Sequence, residues 1–357
     1  MVEIKDFNKC EYSDRHGTYG GMAGYKDGVI YNDEYWIIKY PKATTDFKND
    51  TPIISYTTAP VSEFIGSHIY DILGYDVHET LLVERKNKIA VACKDFCRHR
   101  GDLAEMKTIK NSGNEQLSDE LQAEFHDSNT GESVLLKELL LHFEYNPIFK
   151  KLPDILDNFW ETSLVDIYID NNDRNNGNRG LLFNEETHSY TVAPVYDNGN
   201  SFSNKASEDT INKYLNEAKE QKIIRACGSR TAYAKDGHIL SCKKFLNLQD
   251  DGLKKAIVKV VPLLSSHQNE INKFIDSIPE THKGYTVLTS ARKELYKEQL
   301  SIRLEHMLIP SLEKTIAAHK TNETSFDSLE KHAREKARMN NERRGEQPIY
   351  PTQGRSR

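Results

Sequence analysis

The first hundred residues of the chain read as strands with a single helix. Val29-Ile30-Tyr31 and Tyr35 to Tyr40 are β-rich runs separated by the polar Asn32-Asp33-Glu34, which is the grammar of a hairpin. Pro60 then opens a helix over Val61 to Leu73, with apolar residues at Phe64, Ile65, Ile69, Ile72 and Leu73, and Gly74 sits where a C-terminal cap belongs. Glu79 to Glu84 and Lys88 to Cys93 follow as two more strands. Beyond residue 100 the period turns helical. Leu135 to Phe143 and Pro153 to Tyr168 carry apolar positions at three- and four-residue spacing, and 209–222 and 251–319 read as helices too. A β-rich part followed by a mostly helical part predicts an α+β chain of two unlike lobes. The pattern sets an N-lobe at residues 1–97, a helical C-lobe at 98–320 and a tail at 321–357.

Composition narrows the class of protein. The 357 residues are 37% apolar and 29% charged, which is hydrophilic but foldable, and long enough for more than one core. The formal net charge is -6, so the chain as a whole is not built to coat nucleic acid. The charge is uneven: from Lys331 onward eight Lys or Arg face three Glu, so the tail is basic and the body acidic. The tail starts as a polar helical pattern from Ser325 to Met339. It reads as a solvated end, with an acidic or nucleic-acid partner as the alternative. No apolar run reaches the ~20 residues of a membrane helix, and the N-terminus lacks a secretory pattern. Cytoplasmic residence is therefore expected, with export by a route needing no classical signal as the alternative. The five cysteines (Cys10, Cys93, Cys97, Cys227 and Cys242) show no metal-type pairing and read as reduced thiols. Trp36 and Trp160 read as core residues, and His142 as packed or solvated rather than a metal ligand.

Chemistry concentrates in Val165 to Gly180, where an apolar helix runs into a loop packed with Asp and Asn, and Leu181 to Phe183 resumes as a strand. A bland turn-rich loop is the simplest reading. A calcium loop fails on spacing. With Gly177 at its sixth position, Arg174 takes a ligand position and Phe183 stands where the terminal Glu belongs. A phosphoryl-transfer loop fits better. There an Asp orients the attacking hydroxyl and an Asn five residues later binds magnesium, the spacing of Asp173 and Asn178. Asp197, after the strand Tyr190 to Ala193, supplies a second hard oxygen ligand of the kind Mg²⁺ prefers.

The first part of the chain offers the complement. Gly20, Gly21, Gly24 and Gly28 precede a strand and would let backbone N–H groups approach phosphates, although a glycine-rich turn has the same composition. Lys39 ends an otherwise apolar strand, where a cation is costly to bury unless an anion meets it. Glu63 on the following helix can be that anion, with ATP phosphates as the other; a surface ion pair is the plainer reading.

Taken in order, Tyr19-Gly-Gly-x-x-Gly24, Trp36-Ile-Ile-Lys-Tyr-Pro41, Glu63, Asp173-x-x-x-x-Asn178 and Tyr196-Asp197 resemble the HipA-like serine/threonine kinases. Within that group they are most similar to the short, proinflammatory cell-translocating kinase A type. The resemblance spans roughly residues 12–300 and implies a two-lobe protein-kinase-like fold. It makes Lys39 the phosphate lysine, Glu63 its partner, Asp173 the catalytic aspartate, and Asn178 and Asp197 the magnesium ligands. Ala92 to Phe96, with Lys94, Asp95 and Phe96, becomes the hinge whose backbone meets adenine. ATP and Mg²⁺ are the implied cofactors. A Ser or Thr on a protein, this chain included, is the implied acceptor, and an antitoxin or host protein a further partner. Hydroxyls at Thr44, Thr45, Ser55, Thr57 and Thr58 lie in a polar stretch that reads as a loop and could serve self-phosphorylation. Two departures stand out. Asn175 occupies the position where many relatives carry His, and no Ser lies between Tyr19 and Gly28, Thr18 being the nearest hydroxyl of that kind. The alternatives left open are a pseudokinase or toxin–antitoxin binding module, and a small-molecule phosphotransferase on the same scaffold.

Overall fold

A computed structural model describes residues 1–17, 26–41, 59–129 and 131–318. Gly20, Gly21 and Gly24, the hydroxyls at 18, 44, 45, 55, 57 and 58, and the basic tail lie outside the described residues. Residues 1–311 form one unit, and 312–318 are helical.

The first part is a five-stranded sheet in the order β1-β4-β5-β3-β2, with one helix laid on it. Its strands are β1 (Lys5–Asp6), β2 (Lys26–Tyr31), β3 (Glu34–Lys39), β4 (Thr80–Arg85) and β5 (Lys88–Lys94). Two-residue turns set the register of the hairpins. Asn32 and Asp33 join β2 to β3, and Lys86 and Asn87 join β4 to β5, all four at positive φ, as the primed turns matching strand twist require. Period-two alternation sorts the two faces. Val29, Trp36, Ile38, Tyr40, Val83, Ala90 and Ala92 bury one face around Phe7. The other face meets α1 (Ala59–Ile72). That helix ends as the sequence indicates: Gly74 takes φ +79°, and the N–H groups of Gly74 and Tyr75 close onto the carbonyls of Asp71 and Tyr70.

The second part holds more strand than the sequence pattern announces. After α2 (Cys97–Arg100), β6 (Asp102–Glu105) pairs with β8 (Gly180–Asn184), which pairs with β9 (Ser189–Val192). α3 (Met106–Leu121), β7 (Val134–Leu135), α4 (Leu136–Tyr145) and α5 (Ile155–Ile169) lie between them in sequence. The expected helix over 209–222 is two helices, α6 (Glu208–Leu215) and α7 (Lys219–Cys227). Asn216 ends the first: its backbone N–H and its side-chain amide both donate to the Asn212 carbonyl. β10 (Arg230–Lys235), β11 (His238–Ser241) and α8 (Cys242–Leu246) follow. The helical run expected over 251–319 is interrupted. α9 (Asp251–Ser277) and α10 (Ser290–Arg303) are separated by a small hairpin of β12 (Thr281–His282) and β13 (Tyr285–Thr286), turned by Lys283 and Gly284 at positive φ. α9 runs through Pro262 because the ring lies on its exposed side, where the carbonyl left without a helix partner can meet water.

α5 is the spine of this part, with most of its length buried against α9. Trp160 on α5 is fully buried among Phe159 and Phe245, as expected of a core residue. Gly252 makes room for it, since a Cβ there would come 2.7 Å from the indole. All five cysteines are free thiols.

His142 on α4 is fully buried between two amides: Nε2 lies 3.0 Å from Asn114 Oδ1, and Nδ1 lies 3.4 Å from Asn146 Nδ2. Burial, aided by the nearby Lys110 ammonium, pushes its pKa down from 6.5 to about 4. The unfolded chain therefore takes up a proton between those values that the folded chain refuses, so stability falls as pH drops through that window. Denaturant unfolding is expected to show a loss of about 2 kcal/mol from this group between pH 7 and 5. His142→Gln should remove that slope; an unchanged pH dependence in the variant would show that His142 is not the group.

Candidate active site

Lys39 ends β3 on the sheet face turned to α1 and meets two carboxylates, with its Nζ 3.0 Å from Glu63 Oε2 and 2.9 Å from Asp197 Oδ1. Glu63 is buried and fully committed. Its other oxygen accepts from the backbone N–H of Asn198 at 3.0 Å and lies 3.0 Å from His78 Nε2. Burial opposes both charges, but each is met by its partners. Asp197 and Glu63 hold the Lys39 pKa well above 10.5, while Lys39, His78 and the Asn198 N–H hold Glu63 far below the usual carboxylate range. Glu63, His78 and Cys93 each bring one ligand-type atom within 4.8 Å of the others, but Glu63 already spends both oxygens on Lys39, His78 and Asn198.

Asp197 stands at φ +60°, a conformation Asp tolerates better than most side chains. The segment before it is fixed to the sheet part: Val195 N–H donates to Asp76 O, and His78 N–H to Val195 O. The segment after it is fixed to α1, for Asn198 Nδ2 donates to Ser67 Oγ at 3.0 Å. Gly66 allows this approach, since a Cβ there would lie 2.9 Å from the Asn198 Cβ.

The Asp173 loop is folded by its own amides. Asp170 caps α5 in the left-handed conformation. Asn171 Oδ1 accepts from Asp173 N–H, and Asn175 Nδ2 donates to Asp173 Oδ1 at 3.0 Å. Asn175 Oδ1 takes the Gly177 N–H, while Asn178 Nδ2 donates to the Asp173 carbonyl at 2.6 Å. That bond leaves Asn178 Oδ1 as the atom suited to a metal. Asp173 itself is open to solvent on one side. Partial burial raises its pKa above 3.8, the Asn175 hydrogen bond opposes this, and the charge of Asp197 adds to it.

One buried pair, which the sequence reading did not single out, joins the two loops. Arg174 Nε and Nη2 grip both oxygens of Asp166 on α5 at 2.9 and 3.0 Å. Its remaining N–H groups donate to the carbonyl of Asn178 at 3.1 Å, to the carbonyl of Tyr196 and to Asn198 Oδ1. Tyr70 Oη on α1 donates to Asp166 as well. Asp173, Asn178 and Asp197 are thus positioned from a single guanidinium.

Lys39, Glu63 and Asp197 are in direct contact, and Asp173 and Asn178 share the neighbouring loop. The segment 94–96 is less free than its assignment implies. Lys94 extends to Glu34 and Glu79, and its N–H pairs with Glu79 O. Asp95 is buried, bound to Arg15 and the Cys97 N–H, and its own N–H pairs with Tyr35 O. Phe96 packs at 5.8 Å against Tyr196, next to Asp197.

A two-lobed arrangement with a lysine–glutamate pair on the sheet side and an Asp/Asn/Asp set on the helical side defines a protein-kinase-like fold. No family model matches the chain. It is similar to the serine/threonine-protein kinase CtkA of Helicobacter pylori strain J99, with 29% identity over 313 residues that cover 84% of this chain and 90% of that protein. The crystal structure of a Helicobacter pylori proinflammatory kinase CtkA superimposes with a TM-score of 0.72 at 26% identity, over 88% of this chain and 99% of that one. The chain is therefore similar to the CtkA kinase in both sequence and fold, over most of the length of each chain. Among the described residues no helix is long and apolar enough to cross a membrane.

Replacing Arg174 by Leu removes the close partner of the buried Asp166 carboxylate and leaves it the more distant Arg179 at 3.5 Å, and breaking such a pair costs up to about 3–5 kcal/mol. Arg174→Leu is expected to lower the unfolding free energy by that order in denaturant titrations. The double variant Asp166→Leu/Arg174→Leu should recover part of the loss. A single variant as stable as the parent would refute the pair's role as the anchor of the two loops.

Proposed function

We propose that this protein is an ATP- and Mg²⁺-dependent serine/threonine protein kinase, with its own chain among its acceptors. The observation that carries the reading is Lys39 held by Glu63 and Asp197 beside a loop presenting Asp173 and Asn178. The donor set suits the cofactor: the Asp197 carboxylate and the Asn178 amide oxygen are hard oxygen ligands, and they leave positions for water and phosphate. Bound there, Mg²⁺ would supply charge neutralisation on the phosphates. Lys39 serves the phosphate chain, and Glu63 keeps its ammonium charged and aimed.

Asp173 orients the acceptor hydroxyl and takes its proton. The hydroxyl oxygen forms a bond to the γ-phosphorus as the bond from that phosphorus to the β–γ bridging oxygen breaks, and ADP leaves with that electron pair. Partial burial raises the Asp173 pKa, which makes it a better proton acceptor than a fully solvated carboxylate. Asn175, in the place where many relatives carry His, is spent on Asp173 and Gly177 and adds no positive charge. The backbone around Phe96 is assigned to adenine, and an antitoxin or host protein remains the proposed class of partner.

The test is incubation of the protein with γ-labelled ATP and Mg²⁺, followed by phosphosite mapping. Label on Ser or Thr is expected in the wild type; Asp173→Asn should lower its rate at least about a hundredfold while unfolding as the parent does, and Asp197→Asn should lower it by a similar factor. Undiminished labelling in Asp173→Asn would overturn the assignment. ATP binding without transfer to any acceptor would favour a binding module.

A further inference from the structure

β2 and β3 set two lysines directly across from one another, for Lys26 is the register partner of Lys39. Directly opposed residues on antiparallel strands carry their side chains on the same face, with Cβ atoms about 4.5–5.5 Å apart. Their neighbours fix which face it is. Val29, Trp36 and Ile38 turn into the core around Phe7, so Lys26, Gly28, Ile37 and Lys39 turn the other way, toward Glu63 and Asp197. The Lys26 ammonium lies within electrostatic reach of Lys39, Asp197, Cys93 and Glu63.

Like charges directly opposed across a ladder are destabilising, and this pair is partly withdrawn from water. Glu63 and Asp197 both pair with Lys39, and an anion lying between the two ammonium groups would relieve their repulsion. In sequence Lys26 stands two residues after Gly24, at the exit of the glycine-rich segment and the start of β2.

We propose that Lys26 is a second phosphate-binding lysine, which together with Lys39 grips the phosphate chain of a nucleoside triphosphate. The inference rests on the kinase reading above and extends it to a residue with no role there. Its signature is selective. Lys26 serves the phosphates and not the base, so its loss weakens a triphosphate and leaves the bare nucleoside alone.

The experiment measures equilibrium binding of ATP and of adenosine, each with Mg²⁺, to the full chain by calorimetry. Lys26→Gln is expected to raise the Kd for ATP about tenfold with the Kd for adenosine unchanged, and Lys26→Arg to recover most of the loss. Lys26→Thr, an uncharged residue suited to a strand, carries the same comparison if the Gln variant does not fold. An ATP affinity equal to the parent's overturns the inference and leaves the kinase reading intact, and so does an equal loss for adenosine, which marks a structural role. A wild-type protein that binds no ATP overturns both.

Discussion

A guanidinium with no access to water must find an acceptor for its N–H groups inside the fold, and the position of Arg174 turns that constraint into architecture. It takes both oxygens of Asp166, two backbone carbonyls and one side-chain amide, drawn from α5, the Asp173 loop and the Asp197 segment. None of those pieces can move far without leaving a buried charge or carbonyl unmet, which is among the costliest defects a protein interior can hold. The loops of the site are irregular in backbone yet fixed in place, because their geometry is enforced by hydrogen bonding rather than by secondary structure. Tyr70, Asn171 and Arg179 add to the shell around Asp166, so the spine helix reaches the reactive groups through polar contacts as well as apolar packing.

The sheet side solves a related problem with opposite charges. Lys39 is a cation drawn largely out of solvent, and it arrives with Glu63 already ionised beside it and Asp197 on its other flank. The carboxylates keep the ammonium charged despite burial, and the ammonium does the same for Glu63. Such mutual dependence makes the cluster sensitive to the loss of any single member, and it makes the α1 helix part of the site although α1 need not touch the reacting atoms.

Much of this was legible in the sequence, and the limits have physical causes. The hairpins, the helix over 61–73 with its Gly74 cap and the buried tryptophans follow from turn chemistry and periodicity, the Lys39–Glu63 pair from the cost of placing charge in an apolar strand, and Asp197 from its place after the Asp173 loop and a short hairpin. The helical part was read too simply. β6, β7, β10 and β11 are two to six residues long, and strands of that length carry no period strong enough to stand out beside amphipathic helices. Pro262 and the 278–289 interruption reverse the usual rule, since the proline is tolerated on a wet face while a turn at Lys283-Gly284 divides the run. Asp166 and Arg174 were in plain view as charges within and next to the run Val165 to Ile169, and a charge amid residues that must be buried announces a partner. The spacing could not say which one. The backbone commitments of Lys94 and Asp95 are invisible to sequence because they depend on strand register.

The contact at Gly66 has a mechanical consequence. A helix whose glycine lies flush against Asn198, with Ser67 and Glu63 both bonded to that same residue, cannot pivot away from the Asp197 segment as a separate lever. Helix and segment are geared together, and disengaging them would break several buried hydrogen bonds at once, a concerted step costing far more than thermal energy. Control by swinging this helix between engaged and disengaged positions is therefore foreign to the design. The alignment of Lys39 and Glu63 is settled when the chain folds.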